Sequence, residues 1–494
     1  LIILALYMVV MYGVKGGLVA DCALALNAFF TLGILTSFQA ALTMSGIAGL
    51  VLSLGMAVDA NVLIYERTKE ELRAGKKIAQ ALSDGYSNAF SAIFDSNLTS
   101  IITGVILFNF GTGPVRGFAT TLIIGICVSF FTAVFLTRLV YDWHMKRDKW
   151  QDLTLSTPLA RYFSFDDQRV RNFMGSYKTS FAVFGALILV GIAAYAIRGF
   201  SQSIDFTGGR NFTVMFEQAV TPEDVNGVIT TAFPEANNQV TAIGTDGKTL
   251  RISTNYNIEK EGVEADAEIE TKMYEALKQN NLISCELETF INRDVRDGGS
   301  IISSQKVGPS VAEDITWGAF WSVLLALAAI AIYISIRFRN ITFAAGAIVA
   351  LTADTLIILG AYALLWGFMP FSLEIDQTFI GAVLTAIGYS INDKVVVFDR
   401  LREYLHLYPK RDRQLLFNQS LTSTLNRTVN TSVSTAIVLV VIICGVAFGG
   451  SSSIASFAFA MLLGVVFGTF SSMFIAAPVA YLLHSKNKSI VTEE

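Results

Sequence analysis

Charge is scarce in this chain. Only 15% of its 494 residues are Asp, Glu, Lys or Arg, against about 25% in an ordinary soluble domain. Cysteine is scarcer: four in the whole length exclude a disulfide scaffold. Three of them (Cys22, Cys127, Cys444) sit in apolar runs, and Cys285 has no partner in its own polar region. The three histidines, His144, His406 and His484, each lie just past an apolar run, which speaks against a multi-histidine metal site. A net charge of −4 gives no basic signature for nucleic acid, and 53% hydrophobic content excludes a disordered chain. There is no Gly-x-Ser-x-Gly elbow and no His-Glu-x-x-His helix, so no enzyme is expected. What remains is a polytopic membrane protein.

A helix needs about 20 apolar residues to cross the hydrocarbon core. Such runs occur at 17–38, 44–65, 90–110, 117–141, 179–198, 316–336, 342–367, 377–398, 429–448 and 454–483. Leu1 to Val14 is apolar but short, and is read as the remainder of a span that begins upstream. Basic residues collect in alternate connections: Arg67, Lys69, Arg73, Lys76 and Lys77; then Lys146, Arg147, Lys149, Arg161, Arg169 and Arg171; then Arg400, Arg402, Lys410, Arg411 and Arg413. The other short connections hold one, Arg116. By the positive-inside rule the basic connections and the C-terminus are cytoplasmic.

The expected organisation is a bundle at 1–141, a cytoplasmic linker at 142–178, a span at 179–198, an extracytoplasmic domain at 199–314, a second bundle at 315–483 and a tail at 484–494. Within the polar insert, 211–217 alternates as a strand, and Thr221-Pro222-Glu223 opens a helix. Runs 238–244 and 249–254 flank the turn Gly244 to Lys248. A helix covers 262–280, and 284–291 reads as the last strand. The order β-α-β-β-α-β predicts a ferredoxin-like α+β domain inserted in an all-α membrane bundle. The Asp246-Gly247-Lys248-Thr249 segment resembles the end of a phosphate loop, but position 242 is Ala where that loop needs Gly, so a turn is the better reading.

One constant offset aligns Asp21 with Asp354, Ile47 with Ile380, Gly55 with Gly388, Val62 with Val395, Arg67 with Arg400, Glu70 with Glu403 and Asn97 with Asn430. Two halves with the same span order and orientation are a transporter architecture, with the working site between them. The alternative is that duplicated helices only enlarge a scaffold.

A carboxylate in hydrocarbon costs at least about 2.5–3.5 kcal/mol on insertion scales. Asp59 lies deep in its span; its counterpart is Asn392, and the adjacent Asp393 brings a second carboxylate to similar depth. Arg427 enters the next span and reaches toward both by snorkelling. Desolvation favours a neutral carboxyl and a nearby cation favours a charged one. Asp59, Asp393 and Arg427 therefore have the residue types of a proton relay, or of a fixed salt bridge, with Lys394 as a competing partner for Asp393. Asp21 and Asp95 fall near span ends, where Asp commonly caps a helix; Asp354 is deeper. With no nucleotide site, an electrochemical gradient is the remaining energy source, yielding about 2.3 kcal/mol per charge per 100 mV.

At these residues the sequence resembles the SecD–SecF family of bacterial protein export. Gly55 to Arg67, Asp95-Ser96-Asn97-Leu98-Thr99 and Gly111 to Phe118 look like SecD motifs. Ile204-Asp205-Phe206-Thr207-Gly208-Gly209, Ser390 to Arg400 and Leu425-Asn426-Arg427-Thr428 look like SecF motifs. The resemblance implies a fused SecD–SecF chain of the resistance-nodulation-division superfamily in the bacterial inner membrane, without SecD's first span and large outer domain. It implies protons as the only coupling species, no cofactor, and a SecYEG channel, a SecA motor, unfolded preprotein and lipids as partners. Asp59, Asp393 and Arg427 fall on the family's proton-path positions; Asp354, Asp95, Asn97 and Asn430 are secondary candidates. Asp205, Thr207, Gly208 and Gly209 form the expected mechanical junction of the outer domain, with a plain turn as the alternative. A proton-coupled small-molecule exporter of the same superfamily and a non-transporting scaffold are the rival functions.

Overall fold

The computed structural model describes residues 2–40, 44–111, 113–147, 149–163, 165, 169–242, 247–260, 262–295, 298–445 and 452–486. Residues 244–246 of the expected turn and 446–448 of one expected span lie outside them. Ten described helices are long and apolar enough to cross a membrane.

The first half comprises α1 (Ile2–Ser37), α2 (Met44–Arg73), α3 (Ile78–Phe110), α4 (Gly113–Phe131) and α5 (Thr137–Met145), the last two joined by a π-helical turn, Thr132–Leu136. A short α6 (Pro158–Phe163) lies in the linker. The second half begins with α7 (Tyr177–Arg198). After the insert come α12 (Pro309–Phe338), α13 (Ile341–Leu365), α14 (Gln377–Leu407), α15 (Arg413–Cys444), α16 (Ser452–Ser471) and α17 (Ala477–Lys486), with a second π-helical turn at Ser472–Ala476. The π-turns fall at corresponding places in the last span of each half. α14 lies at the centre of the bundle, and α7 and α12 lie at its periphery. Without a hydrophobic force between helices in lipid, close backbone contact at small residues holds them together. At Gly191 and Gly360 the backbones of α7 and α13 approach so closely that a Cβ on either would lie 2.6 Å from the other's Cα.

The insert contains α8 (Ile204–Thr207), β1 (Gly209–Met215), α9 (Pro222–Ala232), β2 (Asn238–Ala242), β3 (Thr249–Thr254), α10 (Val263–Gln279), α11 (Leu287–Ile291) and β4 (Ser300–Val307). Thr221 caps α9 by accepting from the Asp224 amide, with Pro222 in the first turn. The sheet runs β2-β3-β1-β4 with every neighbouring pair antiparallel, the ferredoxin-like arrangement. Its core is Phe212, Val214, Ile252, Ile269, Leu277, Phe290 and their neighbours. The fold class expected from the sequence is present.

Several details differ. The last strand is 300–307, not 284–291; the latter segment holds α11, whose Phe290 is fully buried in the core. α1 is two helices rather than one: residues 2–12, within the segment read as the remainder of a span, part from the rest at Gly13 (φ 79, ψ 167) and fold back on it, so that a Cβ on Gly17 would lie 2.5 Å from the Val9 Cα. This segment packs on the bundle through Tyr7, which donates to the Asn430 carbonyl at 3.4 Å, and Tyr12, which donates to Glu66 at 3.1 Å. α3 starts at Ile78 and α15 at Arg413, each more than ten residues before the apolar run read from the sequence. Asp95 therefore sits inside a helix rather than at its cap, as does Asp21.

Candidate functional site

A cavity of about 40 Å³ lies between the halves, walled by α2, α3, α4, α14 and α15. Such a space has room for water. Asp59 of α2 and Asp393 of α14 both face it, with Arg427 of α15, Asn97 of α3, Asn392 and Tyr389. The two repeat-related helices thus deliver one carboxylate each to a shared chamber.

Each carboxylate is held by a hydroxyl. Asp59 Oδ1 accepts from Ser434 Oγ at 3.3 Å, and Asp393 Oδ2 from Thr469 Oγ1 at 3.2 Å. Tyr389, between them along the cavity wall, donates to the Thr431 carbonyl at 3.1 Å. The buried Arg427 Nη2 and Thr428 Oγ1, both on residues lining the cavity, have no hydrogen-bond partner among the described residues. Orphaned polar atoms beside a small chamber are where ordered water is accommodated. Arg427 is thus placed to act on both carboxylates without being locked to either through Nη2.

Lys394 is not the partner of Asp393. Adjacent residues on a helix point in different directions, and Lys394 Nζ turns to Asp354 Oδ2 of α13 at 3.0 Å. It also donates to Ser471 Oγ at 3.0 Å, and Ser390 Oγ and Ser471 Oγ each donate to Asp354 Oδ2 at 2.8 Å. Both ends of this pair are buried. Asp95 is likewise committed elsewhere: Arg337 Nε lies 2.6 Å from its Oδ2 and Tyr333 donates to Oδ1 at 2.7 Å. Neither Asp95 nor Asp354 lines the central cavity. Asn97 does, and Asn430, its counterpart, lines a separate cavity described below.

The junction to the inserted domain is built from Ile204 to Gly209. Ser203 caps the one-turn α8, and Thr207 Oγ1 donates back to the Ser203 carbonyl at 3.2 Å. Gly208 and Gly209 take φ values of 68° and 139°, which L-residues resist. Arg210 follows, fully buried, with Nε 2.5 Å from Asp266 Oδ1 and Nη2 donating to the Lys260 carbonyl at 3.1 Å. Asp205 Oδ2 accepts from the Gln377 amide at 3.3 Å, which ties the junction to the start of α14. Burial pushes the Asp205 carboxyl above the usual carboxylate range.

Sequence reasoning missed the other half of this joint. Gln202 and Ile375 form a parallel β-bridge, with Ser203 N donating to Ile375 O at 3.1 Å and Ile375 N to Ser201 O at 2.8 Å. Beside it Glu374 accepts from Thr241 Oγ1 at 2.9 Å and Arg251 Nη1 at 3.3 Å. The inserted sheet is therefore clamped to the helix that carries Asp393. A polar Glu374 in the loop Phe371 to Asp376, among apolar neighbours, was the available signal.

Two parallel helical repeats, charged groups meeting between them and a small α+β domain clamped to a central helix define a membrane protein of the transport type. The chain matches the family described as protein export membrane protein SecD/SecF, C-terminal, over residues 1–147 and 289–486, and the SecD/SecF GG motif over 196–220. It is 33% identical to protein translocase subunit SecDF of Bacillus subtilis, over 97% of this chain and 62% of that protein. It is 35% identical to protein translocase subunit SecF of Rhodothermus marinus, over 64% of this chain and 93% of that one. The crystal structure of SecDF, a translocon-associated membrane protein from Thermus thermophilus, superposes with a TM-score of 0.82 at 32% identity, covering 99% of this chain and 61% of that one. A second SecDF structure, in a super-membrane-facing form, gives 0.72. The chain belongs to the fused SecDF translocase family. It spans about three-fifths of the length of the fused relatives it matches.

Proposed function

We propose that this chain is the membrane-embedded engine of a protein-export subunit in the bacterial cytoplasmic membrane, driven by protons passing between its halves. The observation that carries the reading is the meeting of Asp59 and Asp393, from corresponding helices, in one chamber with Arg427. A carboxyl there is neutral when its chamber is dry and charged when the guanidinium swings close. Alternation between those states takes up a proton on one face and releases it on the other. The basic connections make the face opposite the inserted domain cytoplasmic, so protons enter from the inserted-domain side. The clamp between the inserted sheet and α14 supplies a mechanical route from Asp393 to that domain, where an emerging unfolded preprotein is received. Partners of this reading are the SecYEG channel and, inside, the SecA motor; no cofactor or catalytic chemistry is invoked.

The test is gradient-dependent export of a labelled preprotein into inverted vesicles. Asp59→Asn keeps shape but cannot exchange a proton, so it should insert normally and lose the gradient-dependent part of export. Wild-type export by that variant would refute the relay and favour a passive scaffold. Efflux of hydrophobic compounds without preprotein export would instead favour a small-molecule exporter.

A further inference from the structure

A second, larger cavity of about 410 Å³ lies farther along the same helices, on the face away from the inserted domain. It reaches the surface at the exposed Arg73, Gln151 and Asp152. Its inner end holds Glu66, a nearly buried carboxylate at 8% exposure. Three donors converge on Glu66 Oε1: Lys69 Nζ at 2.9 Å, Tyr12 OH at 3.1 Å and Asn430 Nδ2 at 3.2 Å.

The two cavities are in series. On α2, Asp59, Ala60 and Leu63 line the central chamber, and Glu66 and Lys69 line the second. Asp59, Leu63 and Glu66 are spaced i, i+4, i+7 and so share one helix face, Glu66 lying about 10 Å along the axis from Asp59. On α15, Arg427 and Thr431 face the central chamber, and Asn426 and Asn430 face the second. The partition between the chambers is Leu63, itself buried, together with the α15 turn from Arg427 to Asn430. An apolar constriction between wet compartments blocks protons until it is hydrated.

We infer that Glu66 is the release carboxylate of the relay, receiving the proton from the Asp59–Asp393 chamber past Leu63 and passing it to water in the second cavity. The inference rests on the relay reading above. When the Leu63 partition wets, a neutral carboxyl of the central chamber gives its proton through water to the Glu66 carboxylate. The donor returns to its charged form and Glu66 becomes the neutral acid. In that state the ion pair between Glu66 and Lys69 is broken. Loss of its proton to cavity water, as hydronium, restores the ion pair. Around Glu66 the other charged or titratable groups are Tyr7 and Tyr12 from α1, Arg73 on α2, and Asp152 across the cavity. Asn430, which touches both Glu66 and Tyr7, couples this station to the helix that carries Arg427.

The experiment is proton flux during preprotein export, read with a pH-sensitive dye in inverted vesicles holding equal amounts of each variant. Glu66→Gln should lower coupled flux about a hundredfold. Glu66→Ala should lose it too, and added azide, small enough for the second cavity, should restore a measurable part. Leu63→Ala should pass protons without preprotein. Asp59→Asn is the control, losing flux that azide does not restore. If Asp59→Asn keeps wild-type flux, the relay reading itself fails. If Asp59→Asn loses flux and Glu66→Gln keeps it, the relay stands and the release role of Glu66 is refuted. Failure of azide to rescue a normally inserted Glu66→Ala would also refute it, leaving Glu66 as an anchor for Tyr12 and Lys69.

Discussion

Removing Lys394 should be among the most damaging single changes in the bundle, although the residue lies outside the central cavity. Its side chain is wholly buried and its ammonium is 3.0 Å from Asp354 Oδ2. Three further contacts enclose it: the Ser390 hydroxyl at 2.5 Å, the Ser390 carbonyl at 3.4 Å and the Ser471 hydroxyl at 3.0 Å. Truncating one partner of a buried pair leaves the other charge uncompensated and costs about 3–5 kcal/mol. Lys394→Met is unbranched and only one heavy atom shorter, so most of its effect is electrostatic rather than a cavity. Replacing both partners, Lys394→Met with Asp354→Leu, removes the stranded charge and should recover most of that loss, because well-packed apolar pairs substitute for buried ion pairs at little cost. The hydroxyls of Ser390 and Ser471 would then lose a shared acceptor, about 1 kcal/mol or more where none replaces it, though Ser471 keeps the Gly468 carbonyl at 3.1 Å. The assay is a double-mutant cycle on chemical unfolding of the purified protein in detergent. A coupling energy near zero, with Lys394→Met harmless, would show that the pair is incidental. The cycle also separates roles: if the double variant folds and retains gradient-dependent export, Asp354 is framework and not a proton carrier.

Two other outcomes are expected at the joint between sheet and bundle. Burial pushes the Asp376 carboxyl, which caps α14 through the Phe379 amide, up to about 7 from an ordinary 3.8, with Asp205 and Glu374 nearby reinforcing the rise. A carboxyl raised by docking favours the docked state fully below its ordinary value, and that contribution is lost as pH climbs from 3.8 to about 7. Hydrogen exchange at residues 201–203 and 375–377, corrected for intrinsic rates, should therefore quicken over this window, and Asp376→Asn should flatten the response; an unchanged profile would remove Asp376 from the joint. At the glycine pair, a Cβ on Gly208 would lie 2.5 Å from Ile258 Cδ1 and one on Gly209 2.7 Å from the Thr254 carbonyl. Left-handed backbone adds about 1–2 kcal/mol per L-residue, so Gly208→Val with Gly209→Val should unseat the start of β1 and block export while the bundle still inserts, and normal export would make this segment a passive connection.

What the sequence made legible was periodic and long. Apolar runs located all ten spans among the described residues, and the turn chemistry of Thr221-Pro222-Glu223 located α9. The helix starts were hidden because polar residues interrupt the opening turns of α3 and α15, as at Asp84, Ser87 and Asn88 or Asn418 and Gln419, so the apolar run begins later. β4 was hidden because it is an edge strand: only Ser300 and Ile301 are fully buried, and the stretch Ser303 to Lys306 is polar, so alternation is weak. The run 284–291 carries the apolar residues a strand would need, but α11 spends them on burying Phe290. At the site, the candidates themselves were visible as charges in apolar spans, but not their partners. Which carboxylate Lys394 serves depends on the 100° turn between successive helical residues and on α13 packing beside α14, a tertiary fact.

The repeat also separates positions the two halves share from positions where they differ. At one end of α2 and α14, residues identical or alike in both halves meet: Arg67 and Arg400 share Glu70 at 2.8 and 2.9 Å, and Arg400 reaches Glu403 at 3.0 Å. This charge quartet joins the halves through counterpart residues and needs no difference between them. Within the chambers the counterparts diverge. Asp59 faces Asn392 in the alignment, Asp393 faces Ala60, Asn61 faces Lys394, and Glu66 faces Asp399, which lies 3.9 Å from Arg337. Parallel repeats hold counterpart residues at equal depth, so a strictly symmetric set of carboxylates would be a ring at one level and could not hand a proton onward. Divergence places Asp59 and Asp393 in one chamber and Glu66 at the inner end of the next, with Asp152 at its exposed mouth. The charge quartet thus joins like residues of the two halves, and in the proposed relay direction would come from the positions where the halves differ.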